Sequence, residues 1–364
     1  MRIESLDAVR GIAALTVLFH HMRLLAIETP PVWIKYTPLR VLFSGQSAVL
    51  LFFVLSGFVL HLAFVSRREG YWPFMIKRFW RIYPPFCVAI LASAALYHLI
   101  GAAPMDGLTD WANHSSWQLR PTFSVVAAHL AMTDIEDLHS LDNPMWSLVV
   151  EMRISILFPL IALATQWNWR ATCFGALVIS LACSYLEQRY VPDWLFDPLS
   201  TGRFLYLFAV GAAVAENSKS IRMVVQIQHW PVRLALWGTA LALLSISPIL
   251  AGIPTAIGST LIVVLSFADT KTDAALATPA PMWLGKISYS LYLIHVPVLI
   301  AAAHLMTGRM PIIWIFAATV LLSLLIAELM YRVVERPAIV IGRRMADWSK
   351  SLNLNHEQQR TKRA

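Results

Sequence analysis

The sequence predicts an all-α fold: a polytopic integral membrane helical bundle of about ten transmembrane helices with both termini cytoplasmic. Of its 364 residues 58% are hydrophobic and 14% charged, and its mean hydropathy is positive, beyond the apolar share of an ordinary soluble domain. Apolar stretches of roughly 17 to 25 residues recur along the chain, the length that crosses ~30 Å of hydrocarbon at 1.5 Å per residue. Basic residues gather in the short loops between them, where they report topology.

Taken in order, the apolar runs cover 10–27, 41–64, 82–101, 145–165, 170–187, 202–216, 233–250, 252–268, 284–306 and 311–334. The first is followed by Glu28-Thr-Pro-Pro rather than by a small-residue cleavage site, and it carries His20 and His21, so it reads as a retained helix. Arg67, Arg68, Lys77, Arg78 and Arg81 lie between the second and third runs, and Arg332, Arg336, Arg343 and Arg344 follow the last; both groups should be cytoplasmic. The long 102–144 segment, with Asp106, Asp110, Asp134, Glu136 and Asp137, should then be outside, its 122–133 stretch forming an interfacial helix. Two domains are expected: a transmembrane domain over 1–340 and a short basic cytoplasmic tail over 341–364.

The net charge of +8 does not imply nucleic acid, since the basic residues are not interleaved with aromatics on one surface. Cys87, Cys173 and Cys183 lie inside apolar runs without paired or metal-ligand spacing, so they read as buried small hydrophobes and no metal is expected.

Ionisable groups inside apolar helices cost several kcal/mol unless they face a bundle interior or a water-filled cavity, so each is a functional candidate. Arg10 and His21 are eleven steps apart, about three turns plus ~20°, and share one face with Arg10 at the cytoplasmic boundary and His21 near mid-depth. A buried histidine titrates near neutrality and can take a proton from a hydroxyl, although it can also serve packing alone. His20 points roughly 100° away. In Asn143-Pro-Met-Trp-Ser-Leu-Val-Val-Glu151, Ser147 and Glu151 stack one turn apart. Glu151 could orient an imidazole, bind an acceptor hydroxyl or form a structural ion pair. Arg153 faces elsewhere and needs its own partner, for which Glu328 is one candidate. Ser288, Tyr292 and His295 recur at i, i+4 and i+7 and line either a cavity or a helix interface. Arg78 and Arg81, with Lys77 and Trp80 beside them, suit a phosphate-bearing ligand or ordinary positive-inside anchoring.

Asp7-Ala-Val-Arg-Gly-Ile-Ala-Ala-Leu leading to His21, Phe53-Val-Leu-Ser-Gly-Phe58, Arg78-Phe-Trp-Arg-Ile-Tyr-Pro84, Trp146-Ser-Leu-Val-Val-Glu151, Ile287-Ser-Tyr-Ser-Leu-Tyr-Leu-Ile-His295 and Glu335-Arg-Pro337 occur in that order. Together they resemble the acyltransferase-3 family over nearly the whole chain. The resemblance implies transfer of an acyl group, usually acetyl, from cytoplasmic acyl-CoA to a hydroxyl of a carbohydrate or related envelope molecule. It also implies an integral protein of a bacterial cytoplasmic membrane. Arg10 and His21 match the family's essential pair, Arg78 and Arg81 its cytoplasmic arginine motif, and Glu151 the acid after its Trp-Ser-Leu. His21 is thereby the expected general base, Arg78 and Arg81 the expected acyl-CoA contacts, with Trp146, Ser147, Tyr292 and His295 around the substrate pocket. After Glu151 many relatives continue with acidic or amide and then aromatic residues, where this chain has Met152-Arg153-Ile154-Ser155. The short tail resembles stand-alone members, without the hydrolase-like domain of fused ones. The rival expectation is a proton-coupled secondary transporter, since mid-membrane His, Glu and Arg can also form a proton path; it leaves the arginine pair unexplained, and no internal repeat supports it.

Overall fold

A computed structural model describes residues 3–361 except 28, 32, 33, 35, 36, 66, 67, 133–139, 190–192 and 247–251. Arg67, Asp134, Glu136 and Asp137, which entered the expected topology, lie outside the described residues. Every regular element among the described residues is helical, as a chain in hydrocarbon requires, because a helix satisfies its backbone hydrogen bonds within one segment.

The first helix, α1 (Glu4–Ala26), is followed by a 3-10 turn (Pro38–Phe43) and then by α2 (Gly45–Val65) and α3 (Tyr71–Ile100). Two short helices, α4 (Asp110–His114) and α5 (Phe123–Leu130), lie in the 102–144 segment, the second inside the stretch expected to be interfacial. Next come α6 (Trp146–Glu187), α7 (Asp193–Gly202), α8 (Leu205–Glu216), α9 (Ser218–Gln226), α10 (Trp230–Ser245), α11 (Ile253–Ala268) and α12 (Thr270–Leu276). The chain closes with α13 (Pro279–Met306), α14 (Ile312–Met330), a π turn (Tyr331–Glu335) and α15 (Arg336–Thr361). The last helix takes up most of the expected tail. It packs along the start of α3, with Lys350 bonded to Glu69 at 3.3 Å.

Seven helical segments among the described residues are long and apolar enough to cross a membrane, or eight if α11 and α12, bent by 89°, form one span. That is fewer than the expected ten or so, for two reasons. The helices α10 and α11 have 16 residues each, short of the ~20 that span a bilayer upright. The 42-residue α6 is broken at Asn168, whose φ of −153° and ψ of 92° are not helical. Beyond the break the chain runs back beside α8, with Ser180 Oγ donating to Gly202 O at 3.0 Å and accepting from Tyr206 N at 3.1 Å.

Glycines decide which helices touch. A Cβ on Gly11 would fall on the backbone of Leu284 and Gly285, and one on Gly285 would fall on the backbone of Asp7. This contact makes α1 and α13 the most intimate pair in the bundle. Gly57 and Gly211 do the same for α2 and α8, each meeting the other helix's backbone. Lipid offers no hydrophobic drive for helices to associate, so close van der Waals packing at small residues carries this role.

Gly285→Ala should therefore destabilise the protein by about 1 to 3 kcal/mol, the usual cost of overpacking where backbone rather than a flexible side chain must give way. Gly175→Ala, on a helix face with nothing within 4 Å of the new methyl, should be neutral or stabilising by ~0.5 to 1 kcal/mol. Thermal unfolding of the detergent-solubilised variants checks both signs.

Candidate active site

The contact of α1 with α13 brings two histidines together at mid-helix. His295 is fully buried, and its Nδ1 donates to the carbonyls of Tyr292 (2.8 Å) and Leu291 (3.2 Å). These bonds consume its single ring proton in the neutral form and leave Nε2 an acceptor. The nitrogen facing that Nε2, at 3.0 Å, is Nδ1 of His21, which also lies 3.0 Å from Val17 O. Both partners accept, so His21 carries its proton on Nδ1 and presents a lone pair on Nε2. The Asn143 side chain hydrogen-bonds the same imidazole, and the Trp111 ring lies 5.3 Å away, tilted by 31°. His20 turns aside as the helical spacing predicts, bonding Phe43 O at 2.7 Å.

One helical turn along α13, Tyr292 donates to Ser147 Oγ at 2.7 Å, and Ser147 in turn donates to Pro144 O at 3.1 Å. This pair forms one wall of a narrow cavity of about 60 Å³ lined by Arg10, Arg78, Arg81, Glu151, Ser56 and Tyr289, among others. His21 is not in its wall and lies beyond Tyr292. The cavity's charge is unbalanced. Arg78 is ion-paired with Glu151 and donates from Nε to Ser155 Oγ at 2.9 Å, while Ser56 also donates to Glu151, at 2.6 Å. Arg10 has Asp7 at 3.7 Å. Among the described residues Arg81 forms no ion pair within 4 Å, although Arg10 and Glu335 are near enough to act on it electrostatically.

The structure shows where three of these residues go. Glu151 takes the ion-pair option and balances Arg78, and the residue that orients His21 is His295. Trp146 does not line the cavity but packs on Phe53 and Phe204, with ring centroids 6.3 and 5.5 Å away. Arg153 is not the partner of Glu328. It bonds Asp197 Oδ2 at 2.6 Å and Met132 O at 3.0 Å, whereas Glu328 takes Arg332 and Trp283. The three cysteines are partly buried and lie apart from this site.

Two residues near the site stand in the quoted motifs, but sequence reasoning assigned them no role of their own. Glu335, 3% exposed, accepts from Ser290 at 2.7 Å and is carried inward by the π turn between α14 and α15. A carboxylate ending the last apolar run was the available signal, but a one-residue widening of a helix has no sequence pattern. Asn143 opens a quoted motif, yet nothing local says that its side chain meets α1.

A family model described as an acyltransferase domain matches residues 3–332. The chain belongs to the acyltransferase-3 family. That membership favours the expected acyltransferase over the expected transporter. The chain is 21% identical to the peptidoglycan O-acetyltransferase OatA of Listeria monocytogenes over 367 residues, covering 92% of this chain and 55% of the relative. It is also 21% identical to the putative peptidoglycan O-acetyltransferase YrhL of Bacillus subtilis, covering 92% and 54%. A third relative, the acyltransferase MdmB of Streptomyces mycarofaciens, is 28% identical over 187 residues, 49% of this chain and 46% of the relative. The chain thus spans about half the length of the curated relatives it matches. No solved structure is significantly similar.

The Arg78 and Glu151 pair yields a test of its own. Removing one partner of a pair that is mostly buried leaves an uncompensated charge and costs about 3 to 5 kcal/mol, whereas replacing both by neutral groups is often tolerated. Arg78→Met alone should lower the thermal midpoint sharply, and Arg78→Met with Glu151→Gln should recover most of it. A double-mutant cycle read by thermal unfolding checks the coupling.

Proposed function

We propose that this protein transfers an acyl group, acetyl in the simplest case, from cytoplasmic acyl-CoA to a hydroxyl of an envelope carbohydrate. The observation that carries the reading is the His295 to His21 relay, which leaves the Nε2 lone pair of His21 ready to accept a proton beside an arginine-rich cavity. The two O-acetyltransferase relatives support the acyl group and the acceptor class.

In this reading the chain crosses the membrane ten times. The halves of α6 on either side of Asn168 count as two spans, and α10 and α11 cross as short helices. Both termini are cytoplasmic, which puts the Lys77 to Arg81 end of α3 inside and the 102–144 segment outside, and the positive-inside rule supports that orientation. The location is the cytoplasmic membrane of a bacterium. The donor's phosphates dock on Arg81, whose guanidinium has no ion-pair partner, with Arg10 and Arg78 in the same wall. Arginine suits the task because its planar fork gives bidentate contacts to phosphate.

The cavity is too narrow for a pantetheine arm as it stands, so donor binding widens it past Ser147 and Tyr292 towards His21. There His21 Nε2 takes the proton of the acceptor hydroxyl as its oxygen attacks the thioester carbonyl. The C–S bond breaks, and the CoA thiolate leaves with the proton that His21 releases. Tyr292 and Ser147 shape the approach, and His295 holds the tautomer through the transfer. No metal takes part in this scheme.

Release of free CoA from acetyl-CoA by the purified protein, with candidate saccharides present, tests the reading. His21→Ala should lower turnover by about 10² to 10⁴, the usual contribution of a positioned general base, with its thermal midpoint little changed. Arg81→Ala should raise the KM for acetyl-CoA by about tenfold or more, equivalent to ~1.4 kcal/mol or more of lost phosphate binding. Wild-type turnover in His21→Ala would remove that residue from the chemistry.

A further inference from the structure

The reading above assigns residues to the donor and to the proton but none to the acceptor, and on the far side of His21 the fold builds a surface of its own. The segment bearing α4 is clamped to the end of α1. Thr109 donates from its hydroxyl to Leu24 O at 2.6 Å and from its backbone N–H to Leu25 O at 3.3 Å. These carbonyls belong to the last turn of α1, where a helix has no partner for them. The same hydroxyl caps α4 by accepting from Ala112 N at 3.2 Å. Asn113 braces the turn through Met105 N at 2.7 Å, and Trp117 ties it to α3 by donating to Ser93 Oγ at 3.0 Å. The product of this bracing is a half-buried Trp111 whose ring is held beside the His21 imidazole.

An independent observation comes from Asp142, the residue before the Asn143 that bonds His21. It is fully buried, and neither carboxylate oxygen has a hydrogen-bond partner. Four carboxylates are buried among the described residues, and the other three are satisfied. Glu69 bonds Lys77 and Lys350, Asp269 bonds Arg233, and Glu335 bonds Ser290. Burial without a partner pushes the Asp142 carboxyl well above the usual carboxylate range. A buried polar group left unpaired costs several kcal/mol, so an unpaired carboxyl one residue before the asparagine that bonds His21 calls for a ligand. It is near enough to act electrostatically on the Tyr292 hydroxyl, which sets it where the start of α6 meets α13.

We propose that Trp111 and Asp142 form the acceptor subsite: the indole carries the apolar face of a pyranose ring, and the carboxyl bonds the ring's hydroxyls or acetamido N–H. A hydroxyl of the same ring is thereby turned to Nε2 of His21. The inference rests on the acyltransfer reading and adds the residues that hold the acceptor. An aromatic face suits the C–H surface of a sugar. Methylation removes the hydroxyl hydrogens that the carboxyl oxygen would accept and adds bulk, so acceptors methylated at those hydroxyls should bind more weakly. Asp142 is then an acceptor-binding residue rather than a second base, since the proton goes to His21.

The test uses the full-length protein in detergent with acetyl-CoA and three soluble probes, the methyl glycosides of glucose, N-acetylglucosamine and glucosamine, reading acetylated glycoside and free CoA. With the glycoside that the wild type acetylates best, Asp142→Asn and Trp111→Ala should raise the acceptor KM by about tenfold to a hundredfold, the loss of one hydrogen bond with its partner left unsatisfied or of one ring platform. The KM for acetyl-CoA should stay within about twofold. Trp111→Phe should fall between Trp111→Ala and wild type, and it carries the aromatic arm if Trp111→Ala fails to fold. The thermal midpoint of Asp142→Asn should equal or exceed that of the wild type, because an unpaired buried carboxyl is removed. An unchanged acceptor KM in folded Asp142→Asn and Trp111→Phe, or a loss confined to kcat, would overturn the subsite and leave acyltransfer standing. Wild-type CoA release with no glycoside acetylated would overturn the pyranose class. A wild type that consumes no acetyl-CoA in any arm would instead overturn the acyltransfer reading itself.

Discussion

Gly11 and Gly285 let the backbones of α1 and α13 touch, and the polar centre of the bundle depends on that contact. Two imidazoles on facing helices can share a 3.0 Å hydrogen bond only if the helix axes come unusually close, because each side chain is short. A methyl at either glycine would have to displace backbone, separating the pair. Once the bond exists, the tautomer follows without further machinery. His295 anchors its own proton on the carbonyls of its helix, so His21 must donate from Nδ1 and expose Nε2.

The same constraint explains how the bundle divides its charges. Hydrocarbon makes an isolated ion expensive, and most intramembrane charges among the described residues are met nearby. Arg78 meets Glu151, Arg153 meets Asp197, and His61 meets Glu216 at 2.7 Å. Arg81 and Asp142 stand apart from these pairs. Arg81 has no ion-pair partner in the narrow cavity, and Asp142 has no hydrogen-bond partner. An anionic donor and a hydroxyl-bearing acceptor are the complements that such a division calls for. They would meet at Nε2 of His21, the ring nitrogen that the relay leaves unprotonated.

The segments between spans contribute more than linkage. Thr109 completes the end of α1, Trp117 reaches α3, and the Met132 carbonyl, at a residue with φ of 54°, accepts from Arg153 deep on α6. Arg153 holds the 102–144 segment and α7 to the start of α6. The chain spans about half the length of its O-acetyltransferase relatives.

Composition and apolar run length determined that this is a helical membrane protein, because the solvent dictates both. Helical periodicity determined that Arg10 and His21 face inward together while His20 turns away, since a rigid 100° step leaves no freedom. Ordered motifs determined the family. Periodicity says which face a residue occupies, but not which residue of another helix meets it. That limit left partners open: Glu151 met Arg78, Trp146 a packing cluster, and Arg153 Asp197 rather than Glu328. It also gave no sign that a π turn carries Glu335 inward, or that Trp111 in a five-residue helix meets His21. Pairing across helices depends on the closeness and register of whole segments, which glycine contacts and loop clamps set far from the residues concerned. Tertiary structure alone therefore decided that His295 orients His21, that Arg81 is left without an ion pair, and that Asp142 is buried unbonded beside them.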